Sequence, residues 1–203
     1  MPQTSFPPDH DPLADAALTP EQRAAWQKFR ADHARVQQKL IEFQARQSAS
    51  EETPAFGMIL SRPEFNREVA RLLALEERYG GTSSLIYFDC DNLGTLTEQS
   101  GRNVTNAAIR VIGDRLLGQV RACDIVGRLD ASEFGVLLTR CGTDDAWRKA
   151  ELLAEHMRDA VRKIHGQVFV LEVSFGAYTF AGREDVTNGI QSAARAMLGK
   201  KAS

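Results

Sequence analysis

The sequence predicts an α/β (α+β) fold, with a mixed central β-sheet flanked by helices and a helical extension at the N-terminus. Short apolar runs rich in branched and aromatic residues, such as residues 84–88, alternate along the chain with longer segments of helical periodicity. Two further runs, residues 125–126 and 134–138, flank a polar insert at residues 130–133. Apolar runs on both sides of a few turn-forming residues indicate a β-hairpin.

Size and composition limit the classes of protein to consider. The 203 residues suit one domain plus an extension, and 43% of them are hydrophobic. A net charge of −2 gives no electrostatic reason to expect nucleic acid or an anionic membrane as a partner. No apolar run approaches the roughly 20 residues of a membrane span, and no signal peptide is visible, so we expect a cytoplasmic protein. Its three cysteines form no metal-binding spacing, and their odd number argues against a disulfide framework.

The N-terminal region divides into a tail and a helix. Residues 1–19 carry most of the prolines of the chain and lack apolar periodicity, so we expect disorder there. Residues 20–48 are predicted to be a helix with Thr19 as its N-cap. Its apolar residues follow an a/d heptad spacing: Trp26, Phe29, His33, Val36, Leu40 and Phe43. The stripe fits either a parallel coiled-coil homodimer or a helix packed on its own domain.

Residues 54–203 form the predicted domain, after a polar linker at residues 47–54. Apolar periodicity indicates helices at residues 63–78, 104–120, 144–164 and 187–198. The first of them is expected to stop at Gly80 and Gly81, because glycine favours helix C-termini. Residues 167–180 indicate a strand or hairpin. Strand, helix, paired strands, helix, strand and helix in this order predict a mixed sheet covered by helices.

The hairpin and the strand before it resemble the GGDEF domain of diguanylate cyclases, which join two GTP molecules into cyclic di-GMP. The matching positions are Asp89, Asp91, Gly101, Arg121, Asp124, Gly127, Arg128 and Phe134. The resemblance covers roughly residues 54–201 and implies a nucleotidyl-cyclase-like sheet in a bacterial signalling protein. The five-residue signature itself is degenerate: only its last two residues match in Asp130, Ala131, Ser132, Glu133 and Phe134.

The resemblance also implies what a catalytic site would need. Divalent ions hold the triphosphate, and carboxylate oxygens hold the ions. In the family one such ligand falls on Asp89, and the other falls on the third signature position, which is Ser132 here. Glycines at the first two signature positions let the backbone approach the nucleotide, whereas this chain has Asp130 and Ala131. We therefore expect no catalysis and no metal, with Asp89 as a vestigial ligand and Mg²⁺ only if nucleotide binding persists.

Several other positions that contact the nucleotide in the family also differ from the family pattern. A phosphate-contacting lysine is replaced by Gly94, and the two base-contacting residues are replaced by Thr97 and Asn106. Phe134 is expected to be a core residue of the second hairpin strand. Glu133 is expected either to bind backbone N–H groups of the hairpin or to be solvated.

A second site of the family is present in the sequence. Arg121 and Asp124 match its Arg-x-x-Asp inhibitory site, where cyclic di-GMP binds away from the active site. A guanidinium can bind guanine or phosphate in a bidentate way, and a carboxylate can accept from guanine N–H groups. The arginine that the family has on the following helix falls at Leu152, and Arg148, one turn earlier, could compensate. The alternative is that Arg121 and Asp124 are a surface ion pair at a helix end.

These observations predict a non-enzymatic regulatory or scaffolding protein without a cofactor, dimeric through its N-terminal helix. Its candidate ligand is cyclic di-GMP, bound by Arg121, Asp124 and Arg148. One alternative is a scaffold that binds a protein partner and no nucleotide. Another is a cryptic cyclase that holds metal with Asp89, Asp91 and Asp130.

Overall fold

The computed structural model describes residues 19–47, 59–161, 163–164, 167–182 and 184–201. The predicted linker after Gln47, and all of the predicted tail except Thr19, lie outside these residues. The helices are α1 Pro20–Gln47, α2 Arg62–Tyr79, α3 Leu93–Ser100, α4 Arg102–Leu117, α5 Thr143–Val161 and α6 Val186–Lys201. The strands are β1 Leu60–Ser61, β2 Ser84–Cys90, β3 Ile125–Arg128, β4 Glu133–Leu138, β5 Lys163–Ile164, β6 Gln167–Val168 and β7 Val173–Thr179.

The central sheet has five strands in the order β1-β3-β4-β2-β7. β1 is parallel to β3, and the other neighbouring pairs are antiparallel, so the predicted mixed sheet is confirmed. β3 and β4 form the predicted hairpin, with Val126 opposite Val136. β5 and β6 form a separate two-stranded sheet. The register places Asp89, near the end of β2, opposite Glu133, the first residue of β4.

Helices cover both faces of the sheet, which explains why β2 is a continuous apolar run rather than an alternating one. Ile86 and Phe88 face a core completed by α3, α4 and α5. Leu85 and Tyr87, the alternate residues, face a second core completed by α1, α2 and α6. No helix among the described residues is long and apolar enough to span a membrane.

Two glycines let helices approach the sheet closely. A Cβ on Gly127 of β3 would lie 2.6 Å from Cδ2 of Phe65 in α2. A Cβ on Gly176 of β7 would lie 2.1 Å from the carbonyl oxygen of Ala193 in α6. Both distances are too short for any side chain, so the packing of α2 and α6 requires glycine at these positions.

Helix α1 begins as predicted and packs on its own domain. Gln22 N donates to Oγ1 of Thr19 at 3.2 Å, so Thr19 is the N-cap. Of the predicted stripe, Trp26, Phe29 and His33 are buried, and Val36 packs at the edge of the same core. The packed-helix alternative therefore holds for the first half of the stripe. The side chains of residues 40–47 lie outside the described part of the chain.

Some elements differ from the sequence prediction. Helix α3 and strand β1 were not predicted, because α3 buries only Leu93 and Leu96 and β1 has two residues. The helix predicted to reach residue 164 ends at Val161, and β5 follows it. The strand or hairpin predicted at residues 167–180 contains two separate strands, β6 and β7.

Candidate functional site

The tip of the β3–β4 hairpin is closed by its own residues. The backbone nitrogens of Leu129 and Asp130 donate to the carbonyl oxygen of Glu133 at 2.8 and 3.3 Å. The guanidinium of Arg128 donates to the carbonyl oxygens of Asp130 (3.1 Å) and Ala131 (2.8 Å). The carboxylate of Asp130 accepts from the backbone nitrogen of Ala131 at 2.7 Å. The polar groups of the tip are therefore largely directed at the tip itself.

Ser132, the third signature position, lies directly against Asp89. Its Oγ donates to Oδ1 of Asp89 at 2.9 Å, and its carbonyl oxygen accepts from the backbone nitrogen of Cys90 at 3.0 Å. The fold thus brings together the two positions that hold metal in the family, but only one of them carries a carboxylate. In the described part of the chain, no group of three or more His, Cys, Asp or Glu residues could hold a metal ion.

The other carboxylates of the cryptic-cyclase hypothesis are engaged elsewhere. Asp91 Oδ2 accepts from the hydroxyl of Ser174 on β7 at 2.6 Å, and Asp91 N donates to the carbonyl oxygen of Glu172 at 3.0 Å. Asp130 is exposed and accepts from its neighbour Ala131. These hydrogen bonds join Asp91 to β7 and Asp130 to the hairpin turn.

The two signature residues that match the family have structural roles. Phe134 is 0% exposed in the core beneath α4 and α5, as predicted. The carboxylate of Glu133 accepts a hydrogen bond from the phenol of Tyr87, which was not foreseen. Burial, followed by this hydrogen bond and the charge of Glu133, raises the pKa of Tyr87. Glu133 is half-buried, so its side chain is not fully solvated.

The positions that contact the base in the family lie where α3 meets α4. Oγ1 of Thr97 donates to the carbonyl oxygen of Leu93 at 3.0 Å and lies 2.9 Å from Oγ1 of Thr105. Asn106, the residue after Thr105 on α4, is half-buried. The hydroxyl of Thr97 thus stabilises the contact between the two helices.

Asp124, by contrast, is buried with 6% of its surface exposed. Oδ1 accepts from the backbone nitrogen of Thr139 at 2.9 Å and from its hydroxyl at 3.2 Å. Oδ2 accepts from the backbone nitrogen of Arg121 at 2.9 Å. Burial raises the pKa of Asp124, and these hydrogen bonds oppose that shift. The carboxylate ties the turn at residues 121–124 to the end of β4, so the pair is not a simple surface ion pair.

The residue after Arg148 on α5 is a second cation, Lys149. Burial lowers the pKa of Lys149, and the charges of Asp124 and Arg121 act on it in opposite directions. Arg148 is exposed and forms an ion pair with Asp145. Lys149 precedes Leu152 by three residues, a helical spacing that could have identified it.

Comparison with known proteins identifies the family of the chain. The model of the family described as "Diguanylate cyclase, GGDEF domain" matches residues 56–203, well over half of the chain. The chain belongs to the GGDEF domain family. Among curated relatives it is 30% identical over 118 residues to the uncharacterized protein YhcK of Bacillus subtilis and 27% identical over 134 residues to the diguanylate cyclase DosC of Escherichia coli. These matches cover 58% and 66% of this chain but only 33% and 28% of the relatives.

Solved GGDEF structures confirm the fold. A sensory box/GGDEF family protein from Caulobacter crescentus superposes with a TM-score of 0.61 at 21% identity, over 75% of this chain and 100% of that one. The diguanylate cyclase SiaD of Pseudomonas aeruginosa, in complex with its activator SiaC, gives 0.63 at 19% identity, over 90% and 70%. The GGDEF domain of DgcB from Caulobacter crescentus, in complex with cyclic di-GMP, gives 0.59 at 19% identity, over 74% and 90%.

Proposed function

We propose that this GGDEF domain is catalytically inactive and acts as a regulatory or scaffolding module in cyclic di-GMP signalling. The hydrogen bond between Ser132 Oγ and Asp89 Oδ1, 2.9 Å long, carries the proposal. It occupies the place where two carboxylates would have to face a pair of divalent ions. A neutral hydroxyl supplies no charge to such an ion, and here it uses its proton to satisfy the single carboxylate that is present.

The hairpin tip supports the same conclusion. A triphosphate needs backbone N–H groups or cations directed toward it. In this tip the guanidinium of Arg128 is turned onto the carbonyl oxygens of Asp130 and Ala131, and the Ala131 N–H is bonded to the Asp130 carboxylate. The exposed carboxylate of Asp130 would also repel a phosphate. GTP is therefore expected to bind weakly or not at all.

The regulatory ligand proposed for the domain is cyclic di-GMP, bound at the turn that Arg121 begins. The DgcB relative shows that a GGDEF domain can be isolated with this ligand. Because Asp124 is buried and already accepts from Thr139 and Arg121, we assign it to holding the turn rather than to contacting guanine. Arg121, with Lys149 or Arg148 on α5, would then bind the phosphates.

Calorimetric titrations with cyclic di-GMP, and with GTP plus Mg²⁺ in parallel, test both parts of this proposal. We expect heat from cyclic di-GMP and none from GTP. Arg121→Ala should abolish the cyclic di-GMP signal. The adjacent variants Lys149→Ala and Arg148→Ala are a matched pair, each removing one cation, and the one that weakens binding identifies the helix residue. Binding that Arg121→Ala leaves unchanged would contradict the site.

A scaffold that binds protein and no nucleotide is the second candidate function. The SiaD relative is held in a complex with a protein activator, which shows that members of this fold can bind proteins. If the titration with cyclic di-GMP gives no binding heat, this candidate is favoured. A homodimer through α1 and a cytoplasmic location are part of the same proposal; light scattering measures the first, and cell fractionation measures the second.

A further inference from the structure

The first half of the α1 stripe is used within the chain. Trp26 and Phe29 are 1% and 3% exposed in the core that α2 and α6 complete, and their rings meet edge to face at 5.9 Å. Gln22 Nε2 also donates to the carbonyl oxygen of Tyr79, the last residue of α2, at 2.8 Å. The heptad pattern assigns the same aromatic residues to a seam between two copies. They cannot serve both contacts at once.

His33 is the titratable residue in this buried half of the stripe. It is 4% exposed and stacks on Phe29 with ring centroids 6.0 Å apart. Its Nε2 is buried and has no hydrogen-bond partner among the described residues. A neutral imidazole can remain in such a place at moderate cost. An imidazolium, whose Nε2 carries a proton and shares a full charge, would be left there without an acceptor.

The charges around His33 add to this cost. Arg71 of α2 lies over the ring of Phe29, 5.9 Å from its centroid, and is ion-paired with Asp32 of α1. Burial, followed by the charge of Arg71, lowers the pKa of His33 below its ordinary value of 6.5. Glu68 of α2 is a buried acid; its Oε2 lies 3.9 Å from the guanidinium of Arg71 and has no hydrogen-bond partner among the described residues. The acids Asp32 and Glu68 are thus both against Arg71.

We propose that α1 is a pH-sensitive latch, docked on its own domain while His33 is neutral and released when His33 takes up a proton. Release would expose Trp26 and Phe29 and free the seam for another contact. The released helix binds a proton with the ordinary pKa of histidine, near 6.5, whereas the docked helix binds it only at lower pH. Docking is therefore strongest above that pH and weakens as pH falls through it, by up to about tenfold per pH unit. The latch does not depend on the cyclic di-GMP site or on the absence of catalysis.

Fluorescence of Trp26 measures docking directly. The chain has two tryptophans, and the other, Trp147, lies on α5, so Trp147→Phe leaves Trp26 as the reporter. In this variant of the full chain, we expect little quenching by acrylamide at about pH 8 and a marked rise in quenching by about pH 5. Far-UV circular dichroism on the same samples should show that the domain remains folded.

Variants of histidine provide the controls. His33→Leu and His33→Gln each remove the titrating group. At least His33→Gln, which is similar in size and polarity, should keep Trp26 protected from acrylamide across the whole pH range. His156→Gln, which removes a histidine on α5, should leave the pH response unchanged. The latch would be overturned by quenching that is high already at about pH 8, by protection that persists at about pH 5, or by an equal pH response in the His33 variants. Tighter docking at low pH would also overturn it, because it would mean that an acid such as Glu68 captures the imidazolium.

Discussion

The two ends of strand β3 differ in which features of the family they keep: the start keeps the residues, and the far end keeps the geometry. At its start, the turn at residues 121–124 has the residues of the family's inhibitory site, yet Asp124 is 6% exposed and bonded to Thr139 and Arg121. At its far end, the hairpin tip has lost the first three signature residues. There Ser132 still lies against Asp89, with Oγ and Oδ1 2.9 Å apart.

The difference shows that the identity of a residue and its position in the fold have to be compared with the family separately. The start of β3 has the right side chains, but one of them is committed to holding the fold. The far end has the right geometry, but only one of its two metal-holding positions carries a carboxylate. The proposal that this domain keeps the architecture of a cyclase without its chemistry depends on that difference.

Phe134→Ala should cause the largest loss of stability. Phe134 matches the signature, but it is 0% exposed in the core beneath α4 and α5, so we expect a loss of about 4 kcal/mol in the free energy of unfolding. Phe134→Leu, which keeps most of the apolar volume, should lose much less. Urea unfolding measures both. A small effect of the alanine variant would mean that this residue was retained for a reason other than packing.

Asp124→Ala tests the structural role assigned to the start of β3. Removing a buried carboxylate leaves the donors of Thr139 and Arg121 without their acceptor, so we expect a loss of about 3 kcal/mol in the free energy of unfolding. Asp145→Ala, which removes an exposed carboxylate on α5, is the matched control and should change little. If the two variants unfold alike, Asp124 is available to a ligand and the comparison fails.

Arg128→Ala should have a smaller effect, at the other end of the strand. Its guanidinium is half-exposed and donates to two carbonyl oxygens of the tip, so we expect a loss of about 1 kcal/mol in unfolding experiments. Arg148→Ala removes an arginine from the exposed surface of α5 and should leave stability unchanged. Equal stability of both variants would show that Arg128 does not hold the tip closed.

Ser132→Ala should have the smallest effect. Its hydroxyl satisfies a carboxylate that is only partly buried, and water can replace it, so the expected loss is about 0.5 kcal/mol. Thermal unfolding of this variant and of the parent chain, side by side, measures the difference in stability. A loss above about 2 kcal/mol would indicate that Asp89 depends on Ser132 for folding, contrary to its assignment as a vestigial ligand.

The sequence predicted most of the fold because its signals are local. Apolar periodicity located α2 and the β3–β4 hairpin, and the family register placed Ser132 beside Asp89. The burial of Asp124 could not be predicted, because its partner Thr139 follows 15 residues later, just after the end of β4. The hydrogen bond from Tyr87 to Glu133 likewise joins two strands. Lys149 was not considered for a different reason: counting from the signature led only to Leu152 and to Arg148, one turn earlier.

Product formation from GTP tests the central claim most directly. The purified chain is incubated with GTP and either Mg²⁺ or Mn²⁺, and cyclic di-GMP is measured by mass spectrometry beside an active GGDEF domain as positive control. Because a single carboxylate cannot hold the ions that the reaction needs, we expect no product above the buffer blank. Cyclic di-GMP made by this chain, and lost in Asp89→Asn, would show that the domain is an active cyclase and would contradict the account.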